Sequence, residues 1–295
     1  MRTRTWAQFV VGLFACLFLV ACGGSGTTPP QTANPNPRPQ GSPDIVLLTV
    51  SGHNGGLSAI LCTSGGNHSY LGDPDEAAEA IARTFSNLGF NGLVGNYADF
   101  FDGIDADGDG VIDDPEQRGF LQLVALMQDV YYSWIDGFDD PTRIVVVAHS
   151  HGAVWAHMAV SVMNHIPIDY LITLDGICFR WECEHQTEIA DWLVASGNPY
   201  SWDISTPCAR WPVTGQSGNF NTEDVVFSNV RINLEVQSNG LVTFDAIDNY
   251  RLDGTRTNIA TYFPANEGHN DVRLDGSDAL DWVDLQIRAV ELIGP

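Results

Sequence analysis

The sequence predicts an α/β protein with a mostly parallel central sheet of about six strands and helices on both faces. Three observations predict it. Short continuous apolar runs at 45–50, 143–148 and 170–174 read as strands buried on both faces, the pattern of a parallel sheet. Helical segments alternate with these runs, as right-handed crossovers between parallel strands require. The stretch from Asp44 onward, roughly 250 residues, carries no second linker or internal repeat and is long enough for one large core.

Taken in order, Arg2 and Arg4 precede an apolar run, Phe9 to Ala21, that is too short to be a comfortable membrane span. Residues 1–22 therefore read as a signal peptide. Its Leu-Val-Ala-Cys ending resembles the lipobox of bacterial lipoproteins, which implies that Cys22 becomes the lipidated first residue of an exported chain. The implied location is the bacterial cell envelope, anchored to the outer membrane or cell surface. Residues 23–43 are Gly, Ser, Thr, Asn and Pro with almost no apolar side chain, and read as a disordered tether. The domain is expected over 44–295.

Ile45 to Val50 is the first strand and ends in the glycine-rich turn SGHNGG. Asp73-Pro74-Asp75-Glu76 starts a helix over Ala77 to Leu88. A strand at Leu93 to Tyr97, an acidic loop and a long amphipathic run from Gly119 to Trp134 follow. Arg143 to Ala148 is the clearest buried strand, Gly152 to Asn164 a helix, and Tyr170 to Leu174 another strand. After an irregular segment, strands are expected at 230–236 and 259–263 and a closing helix at 277–292.

Composition removes several chemistries. The chain has 13 basic residues, all arginine, against 37 acidic ones, for a net charge of −24. That field repels nucleic acid and anionic surfaces. Without lysine there is no Schiff base, no Ser-Lys dyad and no phosphate-cradling P-loop lysine. Apart from Cys16 and Cys22, the cysteines are Cys62, Cys178, Cys183 and Cys208. In an exported chain they point to two disulfides, with three pairings open, and their spacing is not that of a zinc motif.

The strand ending at Ala148 runs through His149-Ser150-His151-Gly152 into a helix. A serine lifted out at such a strand-turn-helix bend needs small residues at minus two and plus two, here Ala148 and Gly152. Its hydroxyl is a poor nucleophile until a base takes the proton and an acid fixes that base's tautomer. Asp175 stands at the carboxyl end of the next strand, where sites of open α/β sheets form, and His269 lies in a glycine-containing loop after the last strand. Asp245 and Asp248 are competing acids. His149 and His151 flank the serine, and their side chains read as pocket or packing residues.

The segments VVVAHSHGA, LITLDG and EGHNDV resemble bacterial triacylglycerol lipases and esterases of the α/β-hydrolase superfamily, with coarse similarity over about 44–293. Position 148 departs from the usual glycine. The resemblance implies that Asp175 orients His269 and that His269 deprotonates Ser150, with the acid one strand earlier than in most hydrolases. Two backbone donors would stabilise the oxyanion, each worth about 3 to 4 kcal/mol. One is the amide of His151, and the other comes from the SGHNGG loop, with His53 the best candidate.

Residues 105–116 place acidic oxygens at loop positions 1, 3, 5, 9 and 12 with glycine at 6, the EF-hand spacing. The expected Ca2+ ligands are Asp105, Asp107, Asp109, the Val111 carbonyl, Asp113 and Glu116, in a single structural site. Residues 176–222, with Trp181, Trp192, Trp202, Trp211 and three cysteines, read as a disulfide-stapled cap whose tryptophans either meet acyl chains or form the cap's own core. The function expected is acyl-ester hydrolysis through an acyl-Ser150 intermediate on a small-molecule or lipid ester, with no organic cofactor. A thioesterase, an amidase or a polyester depolymerase would use the same triad. The readings from other classes are a non-catalytic calcium-binding surface lipoprotein and a metal-dependent hydrolase using the calcium loop.

Overall fold

Runs of aliphatic and β-branched side chains become the strands of one sheet. The computed structural model describes residues 36–53, 69–113, 116–196, 204, 206–209, 211–239 and 248–293, which belong to a single unit beginning at residue 35. In chain order the elements are β1 (Ile45–Val50), α1 (Ala77–Asn87), β2 (Gly92–Tyr97), α2 (Phe120–Val130), β3 (Arg143–His149), α3 (Gly152–Val162), β4 (Ile168–Leu174), α4 (Trp181–Ser196), β5 (Val225–Val226), β6 (Val230–Val236), β7 (Tyr250–Arg251), β8 (Ile259–Tyr262) and α5 (Asp278–Ile293). The main sheet has six strands in the order β2-β1-β3-β4-β6-β8. All its pairings are parallel. The two-residue strands β5 and β7 pair separately.

Alternate residues of each strand feed two cores. Val46, Leu48, Val50, Ile144, Val146 and Ala148 pack with α2, α3 and α4 on one face. Ile45, Leu47, Val145, Val147 and Ile172 pack with α1 and α5 on the other. Each such aliphatic side chain contributes about 1.5 to 3 kcal/mol when fully buried. Helix α3 is buried on all sides over its first nine residues because sheet and cap enclose it: Trp155 lies 4.5 Å from Trp181 of α4 and 5.0 Å from Phe120 of α2, centroid to centroid.

Boundaries shift by one or two residues from those expected, and larger differences have local causes. The amphipathic run at 119–134 divides into α2 and a wider π turn over Tyr131–Ile135. Helix α4 occupies a segment expected to be irregular. Its buried face is Trp181, His185 and Ile189, a spacing of four in which the polar histidine masks the apolar period. Residues 36–43, read as the end of the tether, are docked: Asn36 N–H donates to Asp139 Oδ2 (3.1 Å) and Arg38 N–H to Asp140 Oδ1 (2.8 Å). The lipobox and Cys22 lie outside the described residues. Among the described residues no helix is long and apolar enough to cross a membrane.

A disulfide joins Cys178 to Cys208, with Cα atoms 5.6 Å apart, and ties the start of the cap to a point 30 residues on. Of the three pairings it selects the one that leaves Cys183 and Cys62, the latter outside the described residues. At the amino edge of the sheet, Glu291 of α5 accepts hydrogen bonds from Arg143 Nη1 (2.8 Å) and Tyr170 Oη (2.6 Å). That edge is closed by structural ion pairs, which leaves the opposite, carboxyl edge for chemistry.

Candidate active site

At the carboxyl edge, β3 gives way to α3 through Ser150, whose φ is +56°. A non-glycine residue in that region costs about 1 to 2 kcal/mol. Close backbone approach enforces the bend. A Cβ on Gly152 would lie 2.2 Å from the Val50 carbonyl oxygen, and one on Gly52 would lie 2.5 Å from Ser150 Cβ. The turn is clamped by Ser150 N–H donating to the Leu174 carbonyl (3.3 Å) and Ile177 N–H donating to the Ser150 carbonyl (3.2 Å). The architecture is the α/β-hydrolase fold.

No family model matches the chain, and no curated protein matches it. Among solved structures it is similar to acyl-protein thioesterase 2 of Zea mays, at 14% identity over 86% of this chain and 96% of that one, with a TM-score of 0.32. It is also similar to Est1E of Butyrivibrio proteoclasticus, a structure with ferulic acid bound, at 15% identity over 86% of this chain and 92% of that one, with a TM-score of 0.39. Likeness this distant carries no argument about chemistry, which has to come from the site's own geometry.

Asp175 is the first residue after β4 and also has positive φ, +49°. It is 3% exposed. Its Oδ1 accepts from Ser238 N–H (2.7 Å), and its Oδ2 accepts from Ser238 Oγ (2.8 Å) and from His269 Nδ1 (2.5 Å). An ionised carboxylate only accepts, so the proton of a neutral His269 sits on Nδ1 and the lone pair on Nε2. The structure thus joins Asp175 to His269 directly, and the Leu174 and Ile177 backbones on either side of Asp175 tie the Ser150 turn to the end of β4. Of the competing acids, Asp248 is paired with Arg256 Nη1 (2.6 Å), and Asp245 lies outside the described residues.

His149, read as a pocket or packing residue, is buried in a chain of hydrogen bonds. The amide of Gly52 donates to Tyr70 Oη (2.9 Å), Tyr70 Oη donates to His149 Nδ1, and His149 Nε2 donates to the His269 carbonyl (2.7 Å). The two imidazole rings lie 4.5 Å apart. Burial, followed by the neighbouring His269, holds the His149 pKa well below its ordinary value, so the ring stays neutral in one tautomer. The chain of bonds ties the loop after β1 to the main chain of His269. Tyr70 had no local signal, because only the fold brings it there.

The side chains of His53 and His151 turn away from the serine into a buried polar cluster. His53 Nδ1 and His151 Nδ1 each lie 3.3 Å from Glu184 Oε2, and His151 Nδ1 lies 3.7 Å from Asp99 Oδ2. Burial alone would lower the His151 pKa, but Asp99 and Glu184 overcome it and push it up to about 10. Any contribution of these two residues to an oxyanion hole is therefore through main-chain amides. The His151 amide is close to the serine: the Cβ position of Gly52 is 2.8 Å from it. Asp99 lies two residues past the end of β2 and could have been found by a strand-end rule like the one that singled out Asp175. Glu184 had no comparable signal.

In the acidic loop, carboxylate oxygens of Asp105, Asp107 and Asp109 lie within 4.8 Å of one another. Glu116 folds back to accept from Ala106 N–H (2.5 Å), Asp107 N–H (3.2 Å) and Asp113 N–H (3.0 Å). Gly110, at loop position six, has φ +86°, and the Val111 amide donates to Asp109 Oδ1 (2.8 Å). Convergent hard oxygens around a glycine turn fit Ca2+. Residues 114 and 115 lie outside the described residues.

In the cap, Trp181 is fully buried against Trp155. Trp192 and Trp211 are partly buried against the same core, so these three belong to the cap's packing. Trp202 lies outside the described residues.

Proposed function

We propose that the chain is an exported, lipid-anchored serine hydrolase that cleaves carboxylic esters. One observation supports it above the rest: an imidazole held on a buried carboxylate at 2.5 Å, that carboxylate following Leu174, whose carbonyl accepts from the amide of a serine at a left-handed strand-to-helix bend. In the reaction, Ser150 Oγ attacks the ester carbonyl carbon while His269 Nε2 takes the hydroxyl proton. The oxyanion receives main-chain donors from His151 and from the loop carrying Gly52 and His53. The tetrahedral intermediate collapses with cleavage of the carbon–oxygen bond to the alcohol, which leaves with the proton from His269. Water then attacks the acyl-Ser150 carbonyl, His269 takes and returns its proton, and the carboxylic acid is released.

In this reading Cys22 carries the anchor, and the loop ligands Asp105, Asp107, Asp109, Val111, Asp113 and Glu116 hold a structural Ca2+. The ion stabilises the loop and takes no part in bond making. A fluorophosphonate probe tests the central claim. Covalent labelling of the folded protein at Ser150, lost in Ser150→Ala, is the expected outcome. Absence of labelling in folded protein would overturn it.

A further inference from the structure

We propose that His53, Asp99, His151 and Glu184 form a binding site for one zinc-class divalent cation, beside but separate from the serine. The four residues come from four segments: the loop after β1, the loop after β2, the turn after β3 and the cap helix α4. One ligand atom from each lies within 4.8 Å of the others. The side chains are sealed from water, at 4% exposure for His53, 0% for Asp99, 3% for His151 and 1% for Glu184.

The distances match the donor spacing of a tetrahedral cation cage. A charge-assisted N–H to carboxylate bond spans about 2.7 to 2.9 Å. Zinc bonds of about 2.0 to 2.1 Å arranged tetrahedrally put neighbouring donor atoms about 3.3 to 3.4 Å apart. The observed separations of Glu184 Oε2 from His53 Nδ1 and from His151 Nδ1 are both 3.3 Å, and that of His151 Nδ1 from Asp99 Oδ2 is 3.7 Å.

The tautomers point the same way. His151 Nε2 lies 2.9 Å from the Phe179 carbonyl and must donate to it, because a carbonyl only accepts. That puts the lone pair of a neutral ring on Nδ1, facing two carboxylates, where a single dication can bridge all three groups. Metal-bound histidines are typically oriented by such a bond from the other ring nitrogen. Asp99 has a similar support, since its second oxygen lies 3.2 Å from His185 Nε2. The Glu184 Oε2 faces both imidazoles, 3.3 Å from each Nδ1. Two buried carboxylates with two neutral imidazoles carry a charge that one dication cancels. Two nitrogens among four donors favour zinc-class metals over calcium, which takes six to eight oxygens.

The cation would pin the loop of Gly52 and the turn of His151 to α4, holding main chain next to Ser150 without touching the reacting atoms. The full chain, purified without a polyhistidine tag and desalted into metal-free buffer, tests this by elemental analysis for zinc-class metals. About one equivalent of zinc-class metal per chain supports the site, as does tetrahedral cobalt(II) absorption after exchange. Both signals should be lost in Glu184→Gln and kept in Asp105→Asn. Stripping with dipicolinate should lower the melting temperature by about 5 to 10 °C, with recovery on adding zinc. Should Glu184→Gln fail to fold, wild-type metal content and the cobalt spectrum still decide. Folded wild-type protein that holds no metal, and whose melting temperature zinc does not move, would mean a cluster of protonated histidines and would overturn the proposal.

Discussion

At the scale of single residues, the site depends on how much negative charge each buried carboxylate is allowed to keep. Asp175 accepts hydrogen bonds from three donors. Asp175→Asn should fold normally yet lower kcat by about 10^4-fold, because the amide no longer enforces the Nδ1 proton on His269. Glu235 is a second buried carboxylate. It is 5% exposed, and burial raises its pKa from 4.5 to about 7 despite hydrogen bonds from Asn249 N–H (3.0 Å) and Gln237 Nε2 (2.7 Å). Its folded value lies above its unfolded one, so its contribution to stability is complete below about pH 4.5 and fades as pH rises through about 7. Thermal melts from about pH 5 to about pH 8 should show Glu235→Gln gaining on the parent as pH increases, and a constant difference would contradict the assignment. Residue-level legibility followed locality. Ser150, Asp175 and His269 were readable because each sits in its own strand-end motif. Tyr70, Glu184 and Ser238 were not, since their partners lie 79, 33 and 63 positions away in sequence.

At the scale of elements, the strands were legible because a parallel sheet buried on both faces leaves uninterrupted aliphatic runs. Helix α4 was not, because it buries a histidine on its inner face and makes its contacts with the cap and the nucleophile turn rather than along a plain apolar stripe. The pairs β5 and β7 are two residues long, too short for any periodicity to register. The Cys178–Cys208 bridge fixes the start of this segment across a separation of 30 residues. Closing a loop of that length is worth about 3 to 4 kcal/mol by chain entropy. The double change Cys178→Ser and Cys208→Ser should therefore lower the melting temperature by about 10 °C, measured by circular dichroism at fixed pH. A shift under about 2 °C would mean that α4 is held by its packing alone.

At the scale of the molecule, one sheet separates two cores, its amino edge is locked by Arg143, Tyr170 and Glu291, and its carboxyl edge carries the site. The acidic loop leaves that body between β2 and α2, and its carboxylates crowd together within a chain of net charge −24. Millimolar calcium should raise the melting temperature by about 1 to 4 °C, an effect that EGTA reverses and Asp105→Asn removes. Equal melts with and without calcium would rule out a structural ion there.

The two left-handed residues, Ser150 and Asp175, set thermal endurance against turnover. Glycine at either place would relieve steric conflict that the surrounding backbone now imposes, so Ser150→Gly should melt above the parent while being inert toward the fluorophosphonate probe. A library sorted on heat resistance alone would drift toward glycine at these bends and come out silent.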